Sequence, residues 1–186
     1  DGVRALANLA ILKGAVGNDH GCGILPLRGQ NNVQGASDMG ALPDLLPGYQ
    51  HVTDADVRRR VAAVWGVAPP AVPGHRIPDM FDAAIEGRVR ALYVMGEDIA
   101  QTDPDSAHVR AAVAACDLVV VQEIFLSKTA ALADVVLPAA SFLEKNGTFV
   151  NFDRRFQRVR PALRPPGQAR SDFDIINAVA SSFGAD

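Results

Sequence analysis

The chain has 186 residues, of which 48% are hydrophobic and 21% charged, so it can bury the core of an ordinary globular domain. Its net charge of −3 gives no basic surface for nucleic acid, and no apolar run reaches the roughly 20 residues of a membrane span. Two cysteines make neither a disulfide framework nor the roughly four ligands of a zinc or iron–sulfur site, which favours a reducing cytoplasm.

The first 50 residues combine one helical pattern with a long loop. Apolar residues and alanines recur at helical spacing over residues 3–13, which predicts a packed helix that ends near Gly14. Residues 14–50 are rich in glycine and show little periodicity, and a loop of this length is usually functional or disordered. Because the chain starts at Asp1 inside a helical pattern, it is interpreted as a segment of a longer protein. We therefore expect residues 14–50 to be the least regular part of the structure.

Helical and apolar patterns alternate over the middle of the chain. Helices are predicted over residues 54–65, 78–86, 105–116 and 127–133. Strands are predicted near residues 90–95, 117–122 and 134–137. This alternation is typical of βαβ units, so the sequence predicts a three-layer α/β domain with a parallel sheet over about residues 54–143. After it, two short strands at 147–151 and 154–159 and a helix from Ser171 to about Phe183 are predicted.

Polar residues follow the first strand of this predicted sheet. Ligands of an open parallel sheet bind beyond the carboxyl ends of its strands, where Gly96, Glu97, Asp98 and Thr102 occur. A phosphate-binding fingerprint would have three glycines here instead of one, so an ordinary NAD site has weak support. These carboxylates and hydroxyls suit a ribose or a guanine edge, or they cap the next helix. The residue types alone leave both interpretations open.

The most informative string is Leu-Arg-Gly-Gln-Asn-Asn-Val-Gln-Gly at residues 27–35. Its side chains bury little apolar area. Glycines let a backbone approach a ligand closely, and the planar donor fork of Arg28 suits a carboxylate or a phosphate. A solvated polar loop is the alternative.

The string at 28–35 resembles the substrate loop of molybdenum- or tungsten-dependent formate dehydrogenases, whereas nitrate reductases carry a Thr-Gly-Gln-Pro-Asn type of string there. Further motifs resemble the molybdopterin oxidoreductase superfamily and follow in the expected order. They lie at residues 94–98, 101–102, 119–130, 133–138, 144–149 and 154–157. Ser37 departs from the cysteine of many relatives, and Ile99 departs from their proline.

This resemblance implies a division of the chain and a set of site residues. Residues 51–143 would form a dinucleotide-binding-like domain that holds one of two molybdopterin guanine dinucleotides. Residues 1–50 would end a neighbouring domain and carry the substrate and pterin loop, and residues 144–186 would lead towards the domain near a 4Fe–4S cluster. The implied catalytic residues are Arg28 and Gln30. The implied cofactor-binding residues are Gly96, Glu97, Asp98, Thr102, Gln122, Ser127 and Asp134.

The implied reaction is the oxidation of formate to carbon dioxide at a bis-molybdopterin guanine dinucleotide centre with molybdenum or tungsten. Its partners would be formate, the remainder of the catalytic subunit and electron-transfer subunits. The metal-ligating cysteine or selenocysteine, its histidine neighbour and the cluster cysteines would lie outside this segment. Neither Cys22 nor Cys116 is followed by histidine, so no metal ligand is assigned here. We expect the parent to be an enzyme and this segment alone to be inactive.

Two alternatives are weighed against this interpretation. The large subunit of a respiratory NADH-quinone oxidoreductase keeps the same fold as an iron–sulfur scaffold without molybdenum. Retention of Arg28 and Gln30 argues against it, because a scaffold has no formate to hold. A non-catalytic α/β binding module is the other alternative, and it leaves the amide-rich loop unexplained.

Overall fold

The computed structural model describes residues 2–17, 23–27 and 29–184. The helices are α1 (Gly2–Leu12), α2 (Val33–Asp38), α3 (Ala55–Trp65), α4 (Ile77–Ile85), α5 (Ile99–Thr102), α6 (Ser106–Ala115) and α7 (Asp172–Ser182). The strands are β1 (Leu45–Leu46), β2 (Gln50–His51), β3 (Ala91–Met95), β4 (Leu118–Glu123), β5 (Val135–Pro138), β6 (Gly147–Val150) and β7 (Phe156–Val159). A single 3-10 turn, Ala130–Leu132, stands where a short helix was predicted between β4 and β5.

The centre of the fold is a parallel sheet in the order β3-β4-β5. Leu92 lies beside Val119, and Val120 lies beside Val135, so all three strands run in one direction. The predicted α/β class and the parallel arrangement are therefore confirmed. The two last strands, β6 and β7, form a separate antiparallel hairpin, also as predicted.

One face of the parallel sheet packs against α4 and α6. Val119 and Val121 from β4 are buried there against Phe81 of α4 and Val109 of α6. Each such side chain contributes about 1.5–3 kcal/mol when it is fully buried. This face therefore supplies the main core of the described chain.

Side chains that were predicted to begin helices do so. The Asp54 carboxylate accepts hydrogen bonds from the amides of Asp56 and Val57 at the start of α3. The Ser171 hydroxyl accepts one from the amide of Asp174 at the start of α7. Each contact satisfies backbone donors that the first turn of a helix leaves unpaired.

The opposite sheet face is only partly covered, by α7. Ile175 of α7 is buried, whereas Tyr93 and Met95 on β3 stay about half exposed. An apolar cavity of about 330 Å³ lies between this edge of the sheet and Ile176 and Val179 of α7. The third layer is thus present but incomplete within this chain.

Two predictions for the first 50 residues need correction. The helix α1 forms as predicted, but none of its residues is buried in the described chain, so it is not packed. Residues 32–51 are more regular than expected, since they contain α2 and the β1–β2 hairpin. A small core of Leu46, Val52 and Val57 lies beneath this part and accounts for its regular structure. Among the described residues, no helix is long and apolar enough to cross a bilayer.

Candidate functional site

Two loops meet at the carboxyl end of the parallel sheet. We call residues 96–98 the β3 loop and residues 124–129 the β4 loop. The Asp98 carboxylate in the first accepts hydrogen bonds from the Thr129 amide at 2.9 Å and the Thr129 hydroxyl at 2.7 Å. The Thr129 oxygen in turn accepts from the amide of Ala100 at 3.0 Å, and Thr129 is completely buried. One carboxylate therefore holds both loops together.

The charge of Asp98 is stabilised by this arrangement. The Thr129 hydroxyl is the main cause that holds the pKa of Asp98 below its ordinary value of 3.8, and backbone amides of Thr129 and Lys128 act in the same direction. Burial opposes them but does not reverse the shift. Because its oxygens are occupied by the β4 loop, Asp98 is better suited to shape the site than to contact a ligand.

Glu97 and Thr102 lie beside this junction and face outwards. The Thr102 hydroxyl donates a hydrogen bond to Glu97 Oε1 at 2.6 Å. Gly96 has φ of 65°, a backbone conformation that favours glycine, and its amide donates to the Gln122 carbonyl at 2.9 Å. A turn followed by a partly exposed carboxylate and a hydroxyl can receive the hydroxyls of a ribose or the N–H groups of a base.

Ser127 is in the same region, but its hydroxyl has a structural contact. Its Oγ accepts a hydrogen bond from the Ala130 amide at 3.2 Å and so begins the 3-10 turn of the β4 loop. The structure thus brings together five of the predicted cofactor-binding residues. They are Gly96, Glu97, Asp98, Thr102 and Ser127.

Gln122 lies beneath these loops, at the end of β4, and it is completely buried. The Tyr93 hydroxyl donates to Gln122 Oε1 at 2.5 Å, and Gln122 Nε2 donates to Asp172 Oδ1 at 2.7 Å. Lys145 forms an ion pair with the same Asp172 carboxylate. Burial, followed by the charge of Asp172, raises the pKa of Tyr93. The Gln122 amide therefore joins the sheet to α7.

Asp134 departs from the expected grouping. Its carboxylate accepts a hydrogen bond from the Val119 amide at 2.7 Å, and its own amide donates to the Val119 carbonyl. Val119 is near the start of β4, and Asp134 directly precedes β5. Since the strands are parallel, Asp134 lies at the amino end of the sheet, opposite to the β3 loop. The expectation that Asp134 lies near the other site residues is therefore wrong.

A second candidate region is a cleft of about 180 Å³ between the predicted substrate loop and the β6–β7 hairpin. Its lining is rich in carboxamide side chains. They are Gln30, Asn31, Asn32, Gln34, Asn151 and Gln157. Gln30 is exposed at this cleft, and Arg28 lies outside the described residues. The string at 27–35 and the motif at 144–149, although far apart in sequence, thus contribute to one cleft.

The loop is fixed at this cleft by Asn32. This residue has φ of 58°, and its Oδ1 accepts a hydrogen bond from the amide of Val150 at 2.9 Å. In the following helix, the buried Gln34 donates to Asp38 at 2.8 Å and lies 3.1 Å from the Tyr49 hydroxyl. Sequence reasoning assigned no role to Asn32, Thr129 or Lys145, because their partners are distant in the chain. Only Thr129 had a local signal in the sequence, since it directly follows Ser127 and Lys128 in the β4 loop.

Metal binding requires several ligands in one place. Over residues 2–17, 23–27 and 29–184, no three histidine, cysteine, aspartate or glutamate side chains gather in a way that could hold a metal ion. The polar groups described above are hydroxyls, carboxylates and amides instead. They suit an organic ligand with several hydrogen-bonding groups.

Comparisons with known proteins agree with this picture. Formate dehydrogenase H of Escherichia coli K12 is 49% identical over 183 residues, which are 98% of this chain and 26% of that protein. The F420-dependent formate dehydrogenase subunit alpha of Methanocaldococcus jannaschii is 48% identical over 184 residues, 99% of this chain and 27% of that protein. The probable oxidoreductase YjgC of Bacillus subtilis is 48% identical over 185 residues, 100% of this chain and 19% of that protein.

The chain therefore spans about a fifth to a quarter of the length of the curated relatives it matches. Among solved structures, acetylene hydratase from Pelobacter acetylenicus has a TM-score of 0.54 at 23% identity, over 60% of this chain and 16% of that one. At that identity the likeness shows a shared fold only. A family model described as molybdopterin oxidoreductase matches residues 1–182, which is nearly the whole chain. The chain belongs to the molybdopterin oxidoreductase family.

Proposed function

We propose that this chain is part of the catalytic subunit of a molybdenum- or tungsten-dependent formate dehydrogenase. The observation that carries this proposal is the match of nearly the whole chain to proteins named formate dehydrogenase at 48–49% identity. The string at residues 28–35, whose second half is held at an amide-lined cleft, supports it further. The parent would oxidise formate to carbon dioxide and pass the electrons to iron–sulfur clusters.

Arg28 and Gln30 would hold the substrate. Formate is a small anion, and a guanidinium can bind both of its oxygens through two parallel hydrogen bonds. Each hydrogen bond to a charged group contributes about 1.5–3 kcal/mol. Gln30, which is exposed at the cleft, would add an uncharged donor. Carbon dioxide carries no charge, so the product loses this attraction and can leave.

The chemistry is the removal of two electrons and one proton from formate, which breaks its single C–H bond and leaves carbon dioxide. A bound molybdenum or tungsten centre supplies the electron acceptor for this step. The residues of this chain would orient the carboxylate, which brings the C–H bond into the reactive geometry. Ligands of the metal and of the 4Fe–4S cluster would come from other parts of the subunit.

The polar groups at the carboxyl end of β3 would suit the nucleotide end of a molybdopterin guanine dinucleotide. Guanine presents N–H groups and ribose presents hydroxyls, and the Glu97 carboxylate can accept from either while Thr102 donates to its Oε1. Gly96 gives the turn that leads to Glu97. Asp98 and Ser127 would act by shaping the two loops, and Gln122 by fixing α7. Asp134 is left out of this contact set.

Partners and location follow from the same proposal. The exposed apolar residues of α1, such as Val3, Leu6 and Leu12, would pack against the remainder of the catalytic subunit. Electron-transfer subunits would receive the electrons from the clusters. We propose the cytoplasm as the location, since the two cysteines of the chain make no disulfide framework.

The test uses the full-length parent, purified with its cofactors, and formate-dependent reduction of an artificial dye. We expect the Arg28→Lys variant to lose most of this activity while its metal content stays at the wild-type value, because a lysine cannot reproduce the guanidinium fork. Arg110→Lys on the exposed side of α6 is the matched control and should retain the activity. A wild-type parent that reduces no dye with formate would refute the proposed function, and near-normal turnover of Arg28→Lys would remove Arg28 from the site.

A further inference from the structure

Asn32 lies where the proposed substrate loop ends and α2 begins. It precedes the first residue of α2, but its side chain makes no capping hydrogen bond to that helix. Its Oδ1 accepts instead from the amide of Val150, 118 positions later in the chain. Val150 is the last residue of β6 and is buried. The contact therefore ties the loop to the hairpin across the cleft.

Gly35 provides the space for this contact. A Cβ atom added to Gly35 would lie 2.2 Å from Asn32 Oδ1 and 3.0 Å from its Cγ. Gly35 has an ordinary helical backbone, so its position inside α2 is not required by a left-handed φ. Since alanine forms helices better than glycine, a glycine here disfavours α2 itself. The space that the missing Cβ of Gly35 leaves is occupied by the Asn32 side chain.

The helix α2 has other contacts that hold it. Gln34 bonds to Asp38 and approaches Tyr49, and the Gly48 amide donates to the Asp38 carbonyl at 2.8 Å. Helix α2 thus has contacts with the chain besides the Asn32 contact. The Asn32 contact also restrains the residues that precede it in the chain, which are Gly29, Gln30 and Asn31.

We propose that Asn32 is a positioning residue, which sets where Gln30 lies relative to the cleft. This inference rests on the proposed function, since it deepens the role of the same loop. Because Asn32 has a left-handed backbone and is bonded to β6, it restricts the direction in which the preceding turn leaves the cleft. Displacements of about 1 Å at a reacting group can cost roughly 100-fold in rate. Loss of this restraint should therefore weaken formate binding without changing the cofactor.

Two variants of the full-length enzyme remove the contact in different ways. Asn32→Gly keeps the left-handed backbone but has no Oδ1, and Gly35→Ala keeps Asn32 but fills its space. Asn32→Asp retains an acceptor at the same place and tolerates the left-handed conformation. Asn177→Ala, on the exposed side of α7, is the matched control for loss of an amide side chain.

Four quantities are measured: the KM for formate, the KM for the dye, the metal content per chain, and the rate of amide hydrogen exchange at Val150. For Asn32→Gly and Gly35→Ala, we expect the KM for formate to rise about tenfold, with the KM for the dye and the metal content at wild-type values. Amide hydrogen exchange at Val150 should become faster in both, and it should stay slow in Asn32→Asp and in Asn177→Ala. The exchange result tests the hydrogen bond independently of activity.

The outcomes separate this inference from the proposed function. If the wild-type parent does not oxidise formate, the proposed function fails whatever Asn32 does. If the parent is active but both variants keep a KM for formate within twofold of wild type, the positioning role is refuted. A parallel loss of metal content or a changed KM for the dye would also refute it, because the role of Asn32 would then be general folding.

Discussion

At the scale of single residues, Asp98 decides how the carboxyl end of the sheet is arranged. Its carboxylate accepts from both the amide and the hydroxyl of Thr129, and it thereby joins loops that are 31 positions apart. Thr129 is completely buried and also accepts from Ala100. Glu97 is consequently presented outwards at a defined place. Glu97, which is partly exposed, is proposed to contact the ligand, whereas Asp98 connects the two loops.

Replacement of Thr129 by valine should be costly. Valine has the same shape but no hydroxyl, so the buried Ala100 amide would lose its acceptor and Asp98 would lose a donor. An unsatisfied buried group costs about 1–3 kcal/mol, and we expect a loss of that size in the free energy of unfolding by urea. Thr129→Ser keeps the hydroxyl and should recover most of it. Equal stability of Thr129→Val and wild type would contradict the described role of Asp98.

The lowered pKa of Asp98 predicts a pH dependence. A carboxyl group whose folded pKa lies below its unfolded value contributes stability above the unfolded pKa, near 3.8, and that contribution is lost as pH falls through the folded pKa. Urea unfolding of Asp98→Asn should therefore depend less on pH below about 4 than wild type does. Asp54 has a pKa that is lowered by the amides of α3, so some dependence remains. If the free energy of unfolding changed equally with pH in both proteins, Asp98 would not contribute to the pH dependence.

At the scale of elements, α7 joins the sheet through polar groups rather than through a tight apolar face. Gln122 and Lys145 converge on the two oxygens of Asp172, the first residue of α7. A cavity of about 340 Å³ with a mixed lining remains along this helix next to Leu137, and an apolar one of about 330 Å³ remains next to Met95. The position of α7 thus depends on a few hydrogen bonds.

Asp172→Ala should show this dependence. The change leaves the completely buried Gln122 amide without its acceptor, so we expect a loss of about 1–3 kcal/mol in the free energy of unfolding by urea. Asn177→Ala on the exposed side of the same helix is the control, and it should change stability by less than about 0.5 kcal/mol. A similar small effect for both variants would mean that α7 is held in another way.

The elements differ in how well the sequence predicts them. Strands β3, β4 and β5 could be predicted because buried parallel strands appear as continuous apolar runs. Helix α2 could not, since its six residues include Gly35 and Ser37 and it is held by tertiary contacts with Tyr49 and Val150. The same limit applies to the site. Residues 96–98 are recognisable at the end of a predicted strand, whereas the Asp98–Thr129 contact depends on a fold that brings two loops together.

At the scale of the whole molecule, several large apolar side chains are exposed on the surface. Helix α1 exposes Val3, Leu6 and Leu12, and Tyr93 and Met95 are half exposed on the open face of the sheet. A soluble domain rarely exposes several large apolar side chains on one helix without a partner. The chain also spans only about a fifth to a quarter of the length of its curated relatives. We therefore expect other parts of the parent protein to pack against these apolar side chains.

We expect the 186-residue chain, expressed by itself, to oxidise no formate. The metal-ligating residue and the cluster cysteines implied by the family resemblance would lie outside it, and substrate-holding residues alone supply no electron acceptor. The measurement is dye reduction with formate, together with metal analysis of the purified chain. Formate-dependent dye reduction by a chain that retains molybdenum or tungsten would contradict this prediction.

The contact between Asn32 and Val150 has a consequence for the order of biosynthesis. A ribosome adds about 5–20 residues per second, so Val150 is made roughly 6–24 seconds after Asn32. All three strands of the parallel sheet are complete before then, since β5 ends at Pro138. The three strands are therefore synthesised before the residue that fixes residues 29–31 at the cleft. In this order of synthesis, the loop is fixed at the cleft only after the strands of the parallel sheet have been made.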